Sequence, residues 1–215
     1  MLNLKIYNIL NTGKPATLAD APIYLQRISD EISKEVADFL MLFSLSVSFY
    51  AGASVASATG TGAFKNLDFN LMSPHFHQGL TAKEEVNAEI EKGFLDGLYA
   101  MCSSVETVEE QATGISTSSS PISFTGKGTV ISEPLENPGI KEALDDMAII
   151  TEEELEDNIP NQELERKRLL QMANILSKAV ETYINSPLAT TMQGGGAVGI
   201  GTIKLITSPI IDPDE

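Results

Sequence analysis

A single cysteine, Cys102, stands in the 215-residue chain. One thiol cannot build an intrachain disulfide framework, and it excludes a zinc site made from several cysteines. Tryptophan is absent, and histidine occurs only at His75 and His77. Nucleophilic catalysis of the Cys–His or Ser–His kind has few residues to draw on. Positive charge is scarce as well: 14 lysines and arginines face 30 aspartates and glutamates, a formal net charge of −16. So acidic a chain repels phosphate backbones and anionic lipid headgroups, which argues against direct nucleic-acid binding and against docking on a charged membrane. From Met1 to Asn8 no basic region precedes an apolar core, so no signal peptide is expected. No Walker A motif, nucleophile elbow or zincin motif occurs.

Long uncharged runs are rare in the chain, and one calls for a membrane test. Phe39 to Phe64 carries no charge and is long enough to span a bilayer. It also holds Ser44, Ser46, Ser48, Ser54 and Ser57, with Gly52, Gly60 and Gly62. Within it, Phe43-Ser44-Leu45-Ser46-Val47-Ser48-Phe49 alternates apolar and polar residues. That period of two predicts a half-buried strand rather than a membrane helix.

Around this strand the chain reads as mixed. Residues 1–21 are expected to be an extended N-terminal segment, with a turn near Gly13-Lys14-Pro15. Residues 22–42 have helical apolar spacing, and Pro22 suits a first helical turn. Asn66 to Gly79 reads as a loop that holds Pro74 and both histidines. Thr81-Ala82-Lys83-Glu84 has the form of a capping box, predicting a second helix to about Ser103 that Gly93 and Gly97 weaken. Residues 112–121 read as a flexible polar loop, and Phe124 to Ile131 as extended. Residues 133–157 then carry ten acids and one base, Lys141, with a second capping box at Thr151–Glu154 whose helix Pro160 cuts short. A third long helix fits 161–185, ended by Ser186-Pro187. Gly194-Gly195-Gly196 predicts a tight turn or hinge, and Ile200–Ile206 a strand. The organisation is therefore 1–21, helix–strand units one and two over 22–131, an acidic insert at 132–160, a third unit at 161–207, and an acidic tail at 208–215.

Three segments share a pattern. Ile32–Leu40, Ile90–Leu98 and Leu176–Ile184 each place apolar residues at their first, fifth and ninth positions and lysine at the third. Each is followed by a Gly-x-Gly: Gly60-Thr61-Gly62, Gly126-Lys127-Gly128 and Gly199-Ile200-Gly201. Amphipathic helices share such spacing by chance, so coincidence and internal repetition both stand at this point. The expected class is α+β: about three main amphipathic helices with short antiparallel strands, which form three weak helix–strand repeats if the repetition is real.

The candidates for chemistry are few. Gly194 to Gly201 is glycine-rich, but it follows a helix and precedes a strand, the reverse of a phosphate-binding loop. His75 and His77 would share one side of an extended segment, a geometry metals use, but no third ligand lies close in sequence. Cys102, on an apolar helix, reads as a buried structural thiol. The acids of 142–157 lack the calcium-loop pattern and read as a solvated face or a surface for a basic partner. Arg166-Lys167-Arg168 is expected to pair with Glu163 and Glu165. No catalytic, metal or cofactor residue is assigned, and no enzyme is expected. Two interaction surfaces are: the strand at Phe43, Leu45, Val47 and Phe49, through an open edge, and the acidic triplet Glu152, Glu153 and Glu154.

The Leu176–Ile184 helix, the Ser-Pro that follows, and the Thr/Gly-rich stretch closing on Gly199-Ile200-Gly201-Thr202-Ile203 resemble small virion structural proteins of tailed bacteriophages. The likeness covers mainly 160–206 and, more faintly, the two earlier units. It implies a non-enzymatic subunit of a head, neck or tail assembly, present in several copies within the virion after assembly in the host cytoplasm. Its partners would be other virion structural proteins and further copies of itself. Two other readings compete. One is a cytoplasmic binding or scaffold domain that docks a basic partner through 133–157. The other is an enzyme or metal protein built on His75, His77 and Cys102.

Overall fold

The computed structural model describes residues 1–50, 55–104, 106–116, 121–131, 138–147, 161–186, 188–194 and 197–207. The class is α+β. In chain order the elements are α1 (Leu2–Asn11), α2 (Ala21–Leu40), β1 (Ser44–Tyr50), β2 (Val55–Phe64), α3 (Ser73–Leu80), α4 (Val86–Cys102), β3 (Val108–Ser116), β4 (Pro121–Val130), α5 (Asn161–Asn185), β5 (Leu188–Gly194) and β6 (Ala197–Thr207). Short 3-10 turns lie at Leu18–Asp20 and Phe69–Leu71, and residues 140–147 are helical.

The repeat in the sequence has a counterpart in the fold. Helices α2, α4 and α5 are each followed by an antiparallel hairpin: β1–β2, β3–β4 and β5–β6. The shared apolar positions are the buried ones in all three helices: Ile32, Val36 and Leu40; Ile90, Phe94 and Leu98; Leu176, Val180 and Ile184. The shared lysines, Lys34, Lys92 and Lys178, are exposed. One helix and one hairpin cannot bury an apolar face alone, and three such units together can.

Contacts divide the chain into two compact units, and the division falls within α2, α4 and α5. The first comprises Met1–Val36, Phe69–Leu98 and Pro138–Thr182. It is helical, with a core that includes Ile6, Ile32, Phe76, Phe94, Leu144 and Leu176. Phe76 and Phe94 meet edge to face, ring centres 5.2 Å apart. The second comprises Ala37–Asp68, Tyr99–Asn137 and Tyr183–Glu215. It contains the six strands, closed into an antiparallel barrel in the order β1-β2-β3-β4-β5-β6, with β6 returning to β1.

The barrel's register explains the glycines. Leu45 stands opposite Gly62, Val47 opposite Gly60, Val108 opposite Gly128, and Phe49 opposite Gly201. Residues two apart share a face of a strand, so both glycines of each Gly-x-Gly fall in the row that holds Leu45, Phe64, Val108 and Val130. Those four side chains are buried, whereas Ser44, Thr59, Thr61, Glu109, Thr113 and Lys127, on the alternate row, are exposed. The buried row is therefore the barrel interior. Six strands enclose less room than the eight that side chains fill comfortably, and glycine opposite a large residue makes room at these interior positions.

Several expectations are corrected. The first 21 residues are not extended: α1 occupies Leu2–Asn11 and buries Leu2, Ile6 and Leu10, spaced by four along one face. Gly13, at φ +59°, makes the expected turn after it. Asn66 to Gly79 is not a loop, because Pro74 lies in the first turn of α3, where its missing N–H is no loss. Thr81 closes α3 instead of opening α4: its hydroxyl donates to the carbonyls of His77 and Gln78. Residues 112–116 are strand β3, paired on both sides, not a loop. Strands β2, β3 and β5 lie outside the expected elements, because their polar, small-residue composition hides the alternation. The strand at Phe43–Phe49 does form, as β1, but it has no open edge: it pairs with β2 on one side and β6 on the other. The capping box at Thr151–Glu154 lies outside the described residues.

Candidate functional site

The expected interaction strand belongs to the core. Phe43 is 4% and Leu45 1% exposed. Phe43 packs edge to face on Phe39, ring centres 4.8 Å apart. Val47 and Phe49 continue β1, with backbones in both ladders. Closure of the barrel satisfies the N–H and C=O groups an edge strand would offer to a partner, so β1 is not a joining edge. Glu152, Glu153 and Glu154 lie outside the described residues.

The two histidines do not make a pair. Two residues apart on a helix is about 200° of rotation, so α3 turns His75 and His77 to opposite sides. His75 is exposed and His77 half-buried. His77 lines an open groove of about 680 Å³ with Pro22, Ile23, Gln26, Arg27, Asp30 and Glu31. The groove's charged groups are engaged within the chain. Arg27 bonds Glu31 at 2.6 Å, and Asp30 accepts from Gln26 at 2.9 Å and from the Ser73 hydroxyl. Nδ1 of His77 is buried without a hydrogen-bond partner. Among the described residues no group of three or more His, Cys, Asp or Glu is placed to hold a metal ion.

Cys102 is buried, as expected. Burial pushes its thiol up to about 12, with the Tyr183 hydroxyl acting the other way. At neutral pH it stays a thiol, and a thiol is a poor nucleophile. Its carbonyl accepts from the buried Thr107 hydroxyl at 2.6 Å, which fixes the exit from α4 into β3.

The described part of the acidic segment is tied to α4. Asp145 accepts from Asn87 at 2.7 Å and from Lys141 at 2.6 Å, and these bonds hold its carboxyl below the usual range. Glu91 accepts the backbone N–H of Lys141 at 2.8 Å. Of the acids expected to pair with the basic cluster, Glu165 instead bonds Lys14 at 2.8 Å.

The outer face of the barrel is what the sequence reading passed over. Its exposed described positions carry hydroxyl groups at Ser44, Thr59, Thr61 and Thr113 and charges at Glu109 and Lys127. A signal for it was present: residues 39–64, 111–126 and 182–203 are three uncharged runs in an otherwise highly charged chain. Each run spans the turn of one hairpin. Neither a protein-family model, nor a curated protein, nor a solved structure matches this chain.

Proposed function

We propose that this chain is a non-enzymatic structural subunit of a bacteriophage virion, part of a head, neck or tail assembly. It acts through contacts with copies of itself and with other virion structural proteins. The observation that carries this reading is the build of the barrel. Three like helix–hairpin units close on themselves, set the glycines of their Gly-x-Gly motifs in the interior row that holds Leu45, Phe64, Val108 and Val130, and leave an outer face rich in hydroxyls. Such a body supplies shape and surface rather than a reaction chamber.

The groups from which an enzyme reading would start support this. Cys102 is sealed and protonated, and His75 and His77 diverge. A lipid-facing barrel carries an apolar band on its outside. Thr59, Thr61, Glu109, Thr113 and Lys127 occupy those positions here, which favours water or protein as the neighbour.

The test is to purify phage particles from the producing culture and quantify this chain in them by immunoblot and mass spectrometry. A fixed copy number per particle is expected. A chain abundant in the lysate but absent from washed particles would overturn the proposal.

A further inference from the structure

We infer that two copies of this chain join through the uncharged half of the barrel's outer face, along a belt of hydroxyl residues. The inference rests on the structural-subunit reading above and adds the surface and the partner.

The belt follows from the register. Thr202 of β6 pairs with Ser48 of β1, Ser48 with Thr59 of β2, Thr59 with Thr113 of β3, and Thr113 with Ser123 of β4. Five neighbouring strands thus carry Ser or Thr at one level of the barrel. Partners directly opposite in an antiparallel pair share a face, so the five positions lie on one surface. Thr59 and Thr113 are exposed.

Charge is sorted along the strands. The three hairpins turn at the same end of the barrel: Tyr50 pairs with both Ser57 and Ile200, Gly114 with both Ala58 and Ile122. Toward that end, from the belt onward, no strand carries a charged residue. Glu109, Glu110, Lys127 and Lys204 all lie on the other side of the belt.

These two facts select a second copy as the occupant. Each copy carries a formal charge of −16, so two copies repel wherever their carboxylates face each other. The uncharged half of the barrel is where close approach meets least repulsion. A two-fold interface must also be complementary to itself. Charged groups of one sign cannot be, but a hydroxyl both donates and accepts, so a hydroxyl belt can bond to its own image.

The experiment measures self-association of the full chain by sedimentation over a tenfold concentration range. Four variants accompany the wild type: Thr59→Glu, Thr59→Lys, Thr113→Glu and, as a control at an exposed position of α5, Gln162→Glu. Thermal midpoints confirm that each folds. The wild type is expected to associate and Gln162→Glu to match it. Thr59→Glu and Thr113→Glu should each weaken association by about tenfold or more, because like charges then meet across the interface. Mixing Thr59→Glu with Thr59→Lys should restore it as a mixed dimer. Association unchanged in both glutamate variants would overturn the assignment of the surface and leave the subunit reading standing. A wild type that stays monomeric throughout would overturn the second copy as partner, with the particle test above still deciding the subunit reading. Should Thr59 variants unfold, Thr113→Glu and Thr113→Lys serve in their place.

Discussion

Gly93 shows how a residue's neighbours reverse its intrinsic preference. In an isolated helix, replacing glycine by alanine gains about 0.5–1 kcal/mol. In α4, a Cβ on Gly93 would stand 2.4 Å from the His75 carbonyl oxygen, and one on Gly97 would stand 2.8 Å from that of Met72. On α3, a Cβ on Gly79 would meet the Glu89 carbonyl at 2.4 Å. The two backbones approach this closely because all three residues lack side chains. Gly93→Ala is therefore expected to destabilise the protein by about 2 kcal/mol, as overpacking does. Urea denaturation checks the sign, and a midpoint equal to wild type or higher would refute the close packing. Cys102 supplies a second prediction at this scale. Its ordinary value of 9.0 rises to about 12 in the folded protein. Below pH 9 the thiol is protonated in both folded and unfolded chains and contributes no pH dependence. Between pH 9 and 12 the unfolded chain releases the proton while the folded one holds it, so stability falls as pH rises, by at most about 1.4 kcal/mol per pH unit. Cys102→Ala should flatten that part of the stability profile, measured by denaturation at a series of pH values. A slope identical to wild type would remove Cys102 as its source.

At the scale of elements, the end of α1 is tied to two side chains of α2. The last carbonyls of a helix have no partner within it. Nη2 of Arg27 donates to the carbonyls of Ile9, at 3.0 Å, and Thr12, at 2.5 Å, while the Tyr24 hydroxyl donates to Leu10. A cation at a helix C-terminus also suits the helix dipole. Arg27→Ala should cost about 1.5–3 kcal/mol, the range for hydrogen bonds involving a charged group. It should also selectively speed hydrogen exchange across Leu2–Asn11. Uniform exchange, with α1 protected as in wild type, would show that burial of Leu2, Ile6 and Leu10 holds the helix without it. Arg27→Lys should recover only part of the loss, because a single ammonium lacks the planar fork that reaches both carbonyls.

For the whole molecule the acidic excess outweighs the ion pairs. Those such as Lys5–Glu35 and Lys92–Asp96 are largely exposed, and exposed pairs contribute little because water screens them. A net charge of −16 acts across the entire chain. Screening should relieve more repulsion than attraction. The thermal midpoint is expected to rise as sodium chloride goes from low to physiological strength and beyond. A midpoint that falls would mean that the ion pairs dominate. The barrel contributes to solubility in another way. Each of the six described strands has a neighbour on both sides, which leaves less open edge to template aggregation.

Periodicity along the chain was enough to determine some features. The span of α5, the apolar positions shared by α2, α4 and α5, the strand at β1 and the buried state of Cys102 all follow from residue type and spacing, which is local information. Helix α1 is written in the spacing of Leu2, Ile6 and Leu10 as well, although its ten residues are too few for periodicity alone to distinguish it from an extended segment. What only the tertiary structure decided concerns partners distant in sequence. The pairing of Ser44–Tyr50 with residues 150 or more positions away, from Ile200 to Thr207, closes the barrel and turns an expected edge strand into a core strand. The same closure makes Gly60, Gly62, Gly128 and Gly201 interior positions opposite large residues. It also aligns Ser48, Thr59, Thr113, Ser123 and Thr202 into one belt, and α3 sets His75 and His77 apart. Register and closure depend on which strands meet, and a single strand's composition, with a period of two in every case, does not encode its neighbours.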